Sequence, residues 1–327
     1  MRVPRVVLPY PLPPEGAPLR VAFVGQRTYF ETSAMDGPAA GIQPCFLDFR
    51  GGTEIARLLD GLARFAPHVV VCFRPESLPP GALAGVRAPV VGFVTEALPR
   101  AGSTSHPSLD YNLQELRRVD RGNVDRVICA DPLGWDAATE LLPTWRSMPL
   151  PVADGLYRQP TPSRHPPRIV FVGHASWHRE DTLIGLKHKF DVPHYAHALM
   201  GDQLQAMLAG SDVGISLHND RWLRTFDRNV LVHMAAGHLV LAEPLDPTFG
   251  LDPGIHYVEV ADKYELDLRV HQLVAQPDAY ERIRIRGHHF SRQFRASQVW
   301  PRVVADLLAD LAAFGTDRVV EPGRRAA

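Results

Sequence analysis

Short apolar runs recur along the chain, each ending near a glycine or a polar residue. The first is LRVAFVG at 19–25, and others follow at 67–73 (PHVVVCF), 89–94 (PVVGFV) and 125–130 (DRVICA). A short run that is apolar on both faces and bounded by such residues reads as a buried strand of a parallel sheet. Between the first two runs, residues 53–65 put Ile55, Leu58, Leu59, Leu62 and Phe65 at helical spacing on one face. Residues 135–142 predict another helix and 148–152 a short extended piece. Strands alternating with helices predict right-handed βαβ units.

The pattern then restarts. Residues 159–167 (QPTPSRHPP) have the composition of a linker. RIVFVG at 168–173 echoes RVAFVG at 20–25, each a first strand running into a glycine turn. This predicts a second doubly wound domain. Its expected strands are 189–192, 212–217 and 239–242; its expected helices are 180–188, 201–209, 227–236, 264–275 and 278–291. Gly237 is placed to stop the helix over 227–236. A last helix is expected at about 297–313, with Val303, Leu307, Leu308 and Leu311 on one face. The fold class expected is α/β, with two Rossmann-like doubly wound parallel-sheet domains facing a cleft.

Composition narrows the function. The chain has 327 residues, 45% hydrophobic and 22% charged, which suits two globular domains. The formal net charge of −1 gives no global pull toward nucleic acid or an anionic membrane. The three cysteines, Cys45, Cys72 and Cys129, are far apart, so neither a disulfide framework nor a zinc knuckle is predicted. The 15 histidines show no HExxH-like spacing, so no metal site is predicted. Prolines interrupt the first 18 residues, and no run reaches the roughly 18 apolar residues of a membrane span. The expectation is a cytoplasmic protein.

In open parallel sheets, ligands bind beyond the carboxyl ends of the strands. The glycine turns there read GQRTY (25–29) and GHASWHR (173–179). Neither is GxGxxG or GxxxxGK[ST], which argues against dehydrogenases and P-loop NTPases. Arg179, six residues after Gly173, could grip a diphosphate through its fork of N–H groups. The plainer alternative is an exposed first-turn arginine paired with Glu180 or Asp181. The stretch 217–229 (LHNDRWLRTFDRN) is long and polar for a strand-to-helix connection. Thr225, Phe226, Asp227, Arg228 and Asn229 lead into a helix start, where free N–H groups favour an anion; a solvated loop with Asp227 as a cap is the alternative. Glu96 follows the 89–94 strand and is placed either as a general base toward an acceptor hydroxyl or as a surface carboxylate. His106 and the polar run 103–105 belong either to an acceptor site or to a loop. His174, His178, His194, His197 and His218 gather at the strand ends of the second half, without a choice among them.

These features resemble the GT-B glycosyltransferases. The second half is similar to the CgeB-like (spore maturation protein-like) group, through VFVGHASWHREDTL (170–183), SDVGISLHN (211–219), RTFDRNVLVHMAAGHLVL (224–241) and FGLDPGIHYVEV (249–260). The likeness covers residues 168–295; DPLGW (131–135) is similar to a segment near the end of the family's first half, which otherwise agrees in layout alone. The chain itself reads as a Pro-rich lead over 1–18 and a disordered tail over 314–327; the resemblance implies an acceptor-side domain over 19–160, a nucleotide-sugar domain over 161–295 and a helix over 296–313 returning to the first domain. It implies a donor site at Gly173, His174, His178, Arg179, His197, His218, Asn219 and 225–229, with Arg179 near the diphosphate. The acceptor side would use Gln26, Arg27, Tyr29 and His106, and catalysis Glu96 and Arg179. One position departs: where related retaining enzymes carry a glutamate five residues before the Ala-x-Gly glycine, this chain has Val232, and at the earlier glutamate it has Arg224.

The expected function is metal-independent sugar transfer from a UDP-, GDP- or dTDP-linked donor to a hydroxyl acceptor, without a cofactor and leaning toward retention. The rivals are a nucleotide-sugar epimerase, which needs no acceptor, and a non-catalytic binding or scaffold protein, which Val232 favours.

Overall fold

A computed structural model describes residues 10–318, except 101, 103–105, 163, 197 and 198. The chain forms two compact units: Met1–Ala153 with Ala296–Ala327, and Asp154–Arg295.

Unit 1 is built on six parallel strands: β1 (Leu19–Gly25), β2 (Ile42–Asp48), β3 (Val69–Phe73), β4 (Val90–Val94), β5 (Arg126–Cys129) and β6 (Thr144–Ser147), in the order β2-β1-β3-β4-β5-β6. Its helices are α1 (Arg27–Phe30), α2 (Ile55–Phe65), α3 (Pro107–Leu116), α4 (Trp135–Leu141) and the chain's final helix, Ala296–Phe314. Alternate strand residues point to opposite faces. Val24, Val70 and Cys72 meet Leu58 and Leu62 of α2 on one face. Phe23, Phe73 and Phe93 meet Phe30 of α1 and Trp300 of the final helix on the other.

Four elements of unit 1 escaped the hydrophobic pattern: α1, β2, α3 and β6, the last lying just before the extended piece expected over 148–152. β2 carries Gln43 and Pro44 and lies at the sheet edge, in register with β1 from Leu19↔Ile42 to Gly25↔Asp48. An edge strand pairs on one side, so it tolerates proline and needs no continuous apolar run. α3 starts behind His106, whose Nδ1 accepts the Ser108 N–H at 3.2 Å, with Pro107 in the first helical position.

The tail expected to fray from 314 is tied down as far as Arg318, and 319–327 lie outside the described residues. The Thr316 hydroxyl and the Tyr10 hydroxyl each donate to Asp125 Oδ1 at 2.5 Å. Arg318 pairs with Asp125 Oδ2 at 3.1 Å and donates to the carbonyls of Leu83, Val86 and Ala88. Both ends of the described chain thus close on one buried carboxylate. Of the Pro-rich lead, 1–9 lie outside the described residues.

Unit 2 has five parallel strands: β7 (Ile169–Val172), β8 (His194–Tyr195), β9 (Val213–Ser216), β10 (Leu239–Ala242) and β11 (Val258–Glu259), in the order β11-β10-β9-β7-β8. Its helices are α5 (Trp177–Lys187), α6 (Gly201–Gly210), α7 (Asn229–Ala235), α8 (Lys263–Ala275) and α9 (Glu281–Ser291); the final helix of unit 1 is therefore α10. The strand expected over 189–192 lies at β8 instead. Val192 is buried in the core, but the ladder to β7 begins at Phe171↔His194. α5 starts three residues earlier than expected because the Ser176 hydroxyl caps it, accepting the Arg179 N–H at 3.3 Å.

A buried histidine pair stiffens unit 2. His238 Nε2 lies 2.8 Å from the Leu208 carbonyl and must donate to it. His238 Nδ1 is then an acceptor, so His233 Nδ1, 3.0 Å away, carries the proton between them. His233 Nε2 is left as a buried lone pair without a partner among the described residues. The His233 ring lies so close to β9 that a Cβ on Gly214 would come within 2.3 Å of it.

Candidate functional site

Each unit has one point where the chain leaves a central strand toward one side and returns on the other. In unit 1 this lies between β1 and β3, and in unit 2 between β7 and β9. Such switch points open a crevice at the carboxyl ends of the strands.

In unit 2 the crevice is occupied by Arg179. Its side chain comes from the first turn of α5, and the residue is 9% exposed. Nη1 donates to the His174 carbonyl beyond β7 at 3.0 Å. Nη2 donates to the Leu217 carbonyl beyond β9 at 2.9 Å, and Nε is shared between Leu217 and His218 at 3.1 and 3.2 Å. Gly173 allows this approach, since a Cβ there would lie 3.1 Å from Nη1. The guanidinium has five N–H groups; one on each terminal nitrogen has no partner among the described residues. Burial lowers its pKa, opposed by the carboxylates of Asp227 and Glu243.

A carboxylate that sequence reasoning missed stands beside it. Glu243 directly follows β10 and is 7% exposed. Its Oε1 lies 2.6 Å from His178 Nε2, and its Oε2 accepts the His218 N–H at 2.6 Å. His218 is fully engaged: Nε2 lies 2.9 Å from the Pro244 carbonyl, and Nδ1 accepts from Thr225 N at 3.3 Å. Burial holds its pKa below the ordinary imidazole value, opposed by the Pro244 carbonyl and the carboxylates of Glu243 and Asp227. The signal in the sequence was Glu243's place, one residue beyond an apolar strand.

The loop before α7 completes the cluster. Asp227 Oδ1 accepts the Asn229 N–H at 2.8 Å, so Asp227 closes the helix start although Arg228 occupies the capping position. Asn229 Nδ2 reaches the Val172 carbonyl at the end of β7 at 3.3 Å. Phe226 packs edge-on against Phe249, ring centroids 4.9 Å apart. Asn219 is exposed, His174 contributes its carbonyl, and His197 lies outside the described residues. Val232 is buried on α7. Of the residues expected on the donor side, the fold thus gathers Gly173, His174, His178, Arg179, His218, Thr225, Asp227 and Asn229 around one crevice.

The corresponding place in unit 1 is apolar. Phe30, just beyond β1, stacks on Phe73 at the end of β3 with centroids 4.9 Å apart and planes 8° apart. Arg27 is drawn over β2: its amide donates to Asp48 Oδ1 at 2.8 Å, and its guanidinium reaches Glu31 and the Phe46 carbonyl. Gln26 precedes α1 as its capping residue, and Tyr29 is half-buried. His106 caps α3. Glu96 is exposed beyond β4 and accepts from the Thr95 hydroxyl at 3.4 Å. It contributes to the field on Arg74, together with Glu76 and Glu115. Arg74 follows β3 with φ +56° and donates to Glu76 Oε1 at 2.8 Å; burial raises the Glu76 pKa, with Arg74 opposing. Sequence reasoning missed this pair, because positive φ at an arginine leaves no mark in composition.

Among the described residues, no group of three or more histidine, cysteine or carboxylate side chains is arranged to hold a metal ion, and no helix is long and apolar enough to cross a membrane.

No family model matches the chain, and no curated protein matches it in sequence. Solved structures do match in fold. Anabaena HepE in complex with UDP-glucose matches with a TM-score of 0.54 at 12% identity, over 90% of this chain and 100% of that one. Trehalose 6-phosphate synthase from Burkholderia multivorans gives 0.53 at 12%, over 91% and 99%. Sucrose-phosphate synthase from Thermosynechococcus elongatus gives 0.52 at 10%, over 89% and 99%. The fold is of the GT-B type, two Rossmann-like parallel-sheet units in one chain.

Proposed function

We propose that this chain is a glycosyltransferase that takes a nucleotide-sugar donor on unit 2 and passes the sugar to a hydroxyl acceptor held by unit 1. The observation that carries this reading is the polar cluster at the β7/β9 switch point, on a fold shared with a protein crystallised with UDP-glucose. Fold alone does not establish chemistry, so the weight rests on the residues. Arg179 offers its two uncommitted N–H groups to the diphosphate. Those bonds strengthen as the departing diphosphate gathers charge, and the carbonyl clamp keeps the guanidinium from reorganising. Glu96 is proposed to accept the acceptor's proton. No metal ion is assigned to the diphosphate, the protein is taken to act in the cytoplasm, and the CgeB-like group is the proposed kinship.

Val232 supports a second reading, a binding protein that has kept the fold without turnover. A thermal-shift panel of UDP, GDP, dTDP and CDP with their common sugars, followed by an assay for sugar release, separates the two. A ligand that binds the folded state alone, at a hundred times its Kd, stabilises it by about 2.7 kcal/mol. A shift with release supports the transferase, and a shift without release supports the binding protein. No shift with any nucleotide sinks both.

A further inference from the structure

We propose that His178 is a proton-gated ligand of the donor diphosphate, and that Glu243 is the positioning residue that orients it and supplies its counter-charge. The proposal rests on the donor reading above.

The geometry assigns the proton first. Glu243 spends both oxygens, one on the His218 amide and one on His178 Nε2, each at 2.6 Å. An ionised carboxylate only accepts, so His178 Nε2 carries a hydrogen. That leaves Nδ1, which has no partner among the described residues, on a side chain that keeps 15% of its surface exposed. In the neutral ring Nδ1 is a bare lone pair and repels a phosphate oxygen. In the imidazolium it is a charged donor and grips one.

Charge balance points the same way. Two carboxylates, Asp227 and Glu243, act on the Arg179 guanidinium. A diphosphate brings more negative charge beside them. His218 cannot compensate, since it is buried, held toward its neutral form, and spends both ring nitrogens on neighbours. Glu180 and Asp181 on its own helix carry charge too, and both have partners elsewhere. Glu180 lies 3.8 Å from His194 and 4.0 Å from Lys187, and Asp181 pairs with Lys263 of α8 at 3.0 Å. Protonation of His178 adds a positive charge beside Glu243 before the donor arrives.

The test is calorimetric titration of the full chain with UDP-glucose and GDP-glucose across about pH 6 to 8, the range in which imidazole changes charge. These diphosphate esters have no phosphate proton titrating there, so the slope reports the protein. Binding is expected to be about fivefold tighter at the acid end. In H178N it should be flat and fixed near the wild-type value at the alkaline end, and in E243Q, which keeps the imidazole but loses its counter-charge, the slope should move toward lower pH. H178K, charged throughout, should bind tightly at every pH. Melting curves establish that each variant is folded, and H178K keeps the test decisive should E243Q disturb the His218 amide. A wild-type profile that is flat or rises with pH overturns the proposal while leaving the donor reading intact, as does a slope that survives H178N. No binding of either probe by wild type at any pH overturns this proposal, while the donor reading falls only if the full nucleotide panel fails as well.

Discussion

The two switch points of this molecule share a topology and differ in chemistry. Between β1 and β3, Phe30 lies flat on Phe73 above a layer of aromatic rings. Between β7 and β9, Arg179 holds three backbone carbonyls, with Glu243, His178 and Asp227 around it. An apolar plug closes a crevice by excluding water. A guanidinium fixed by carbonyls leaves it charged and hydrogen-bonded. The parallel sheet dictates where a crevice forms; the side chain that enters it decides what the crevice is for.

Removing the clamp should have the largest effect. Arg179→Ala orphans the carbonyls of His174, Leu217 and His218 and leaves Asp227 and Glu243 without their cation. A loss of about 3 kcal/mol in stability is expected, because buried groups stripped of a charged partner are costly. Nucleotide-diphosphate affinity should fall even in conditions where the variant is folded, as calorimetry would read. Unchanged affinity removes Arg179 from the ligand site.

Phe30→Ala is the matching cut in unit 1. The buried ring leaves a cavity, and a stability loss of about 3 kcal/mol is expected by chemical denaturation. Nucleotide affinity should not change. A parallel drop in affinity would mean that the two crevices are not chemically separate.

Acid should sharpen the contrast further. Burial pushes the pKa of His233 down to about 3 and of His238 to about 4, against an ordinary value of 6.5. The unfolded chain therefore takes up these protons first as pH falls. The stability of the neutral pair is whole above about pH 6.5 and drains away toward about pH 3. Hydrogen exchange should show α7 amides losing protection on acidification before those of β1. Full protection of α7 at about pH 4 would contradict this assignment of the pair.

The smallest structural effect is expected at Glu96. It is exposed, so Glu96→Gln should leave melting within about 0.5 kcal/mol of wild type. Turnover should fall while donor affinity holds. An equal loss of both would show that Glu96 has no part in accepting the proton.

The legibility of the site followed the same physics. Arg179, Asp227 and Asn229 were readable because each sits at a fixed offset from an apolar strand that ends in the crevice. Glu243 sits at an equally telling offset, yet it was hidden among proline and apolar neighbours (LAEPL) that look like an ordinary strand exit. Arg74 and Glu76 were invisible, since their pairing depends on a left-handed backbone turn.

What the sequence determined by itself was the count of the central strands, the restart at residue 168 and the doubly wound class, because buried parallel strands must be apolar throughout. It did not determine the edge strands β2, β6, β8 and β11, which are half-solvated and carry no such constraint. Tertiary structure alone decided that Arg179 turns inward onto carbonyls rather than outward to Glu180 or Asp181, and that Glu243 meets His178 across 65 residues of chain. Local spacing sets the face on which a residue lies; which partner waits there is settled only when the sheet brings distant strand ends together.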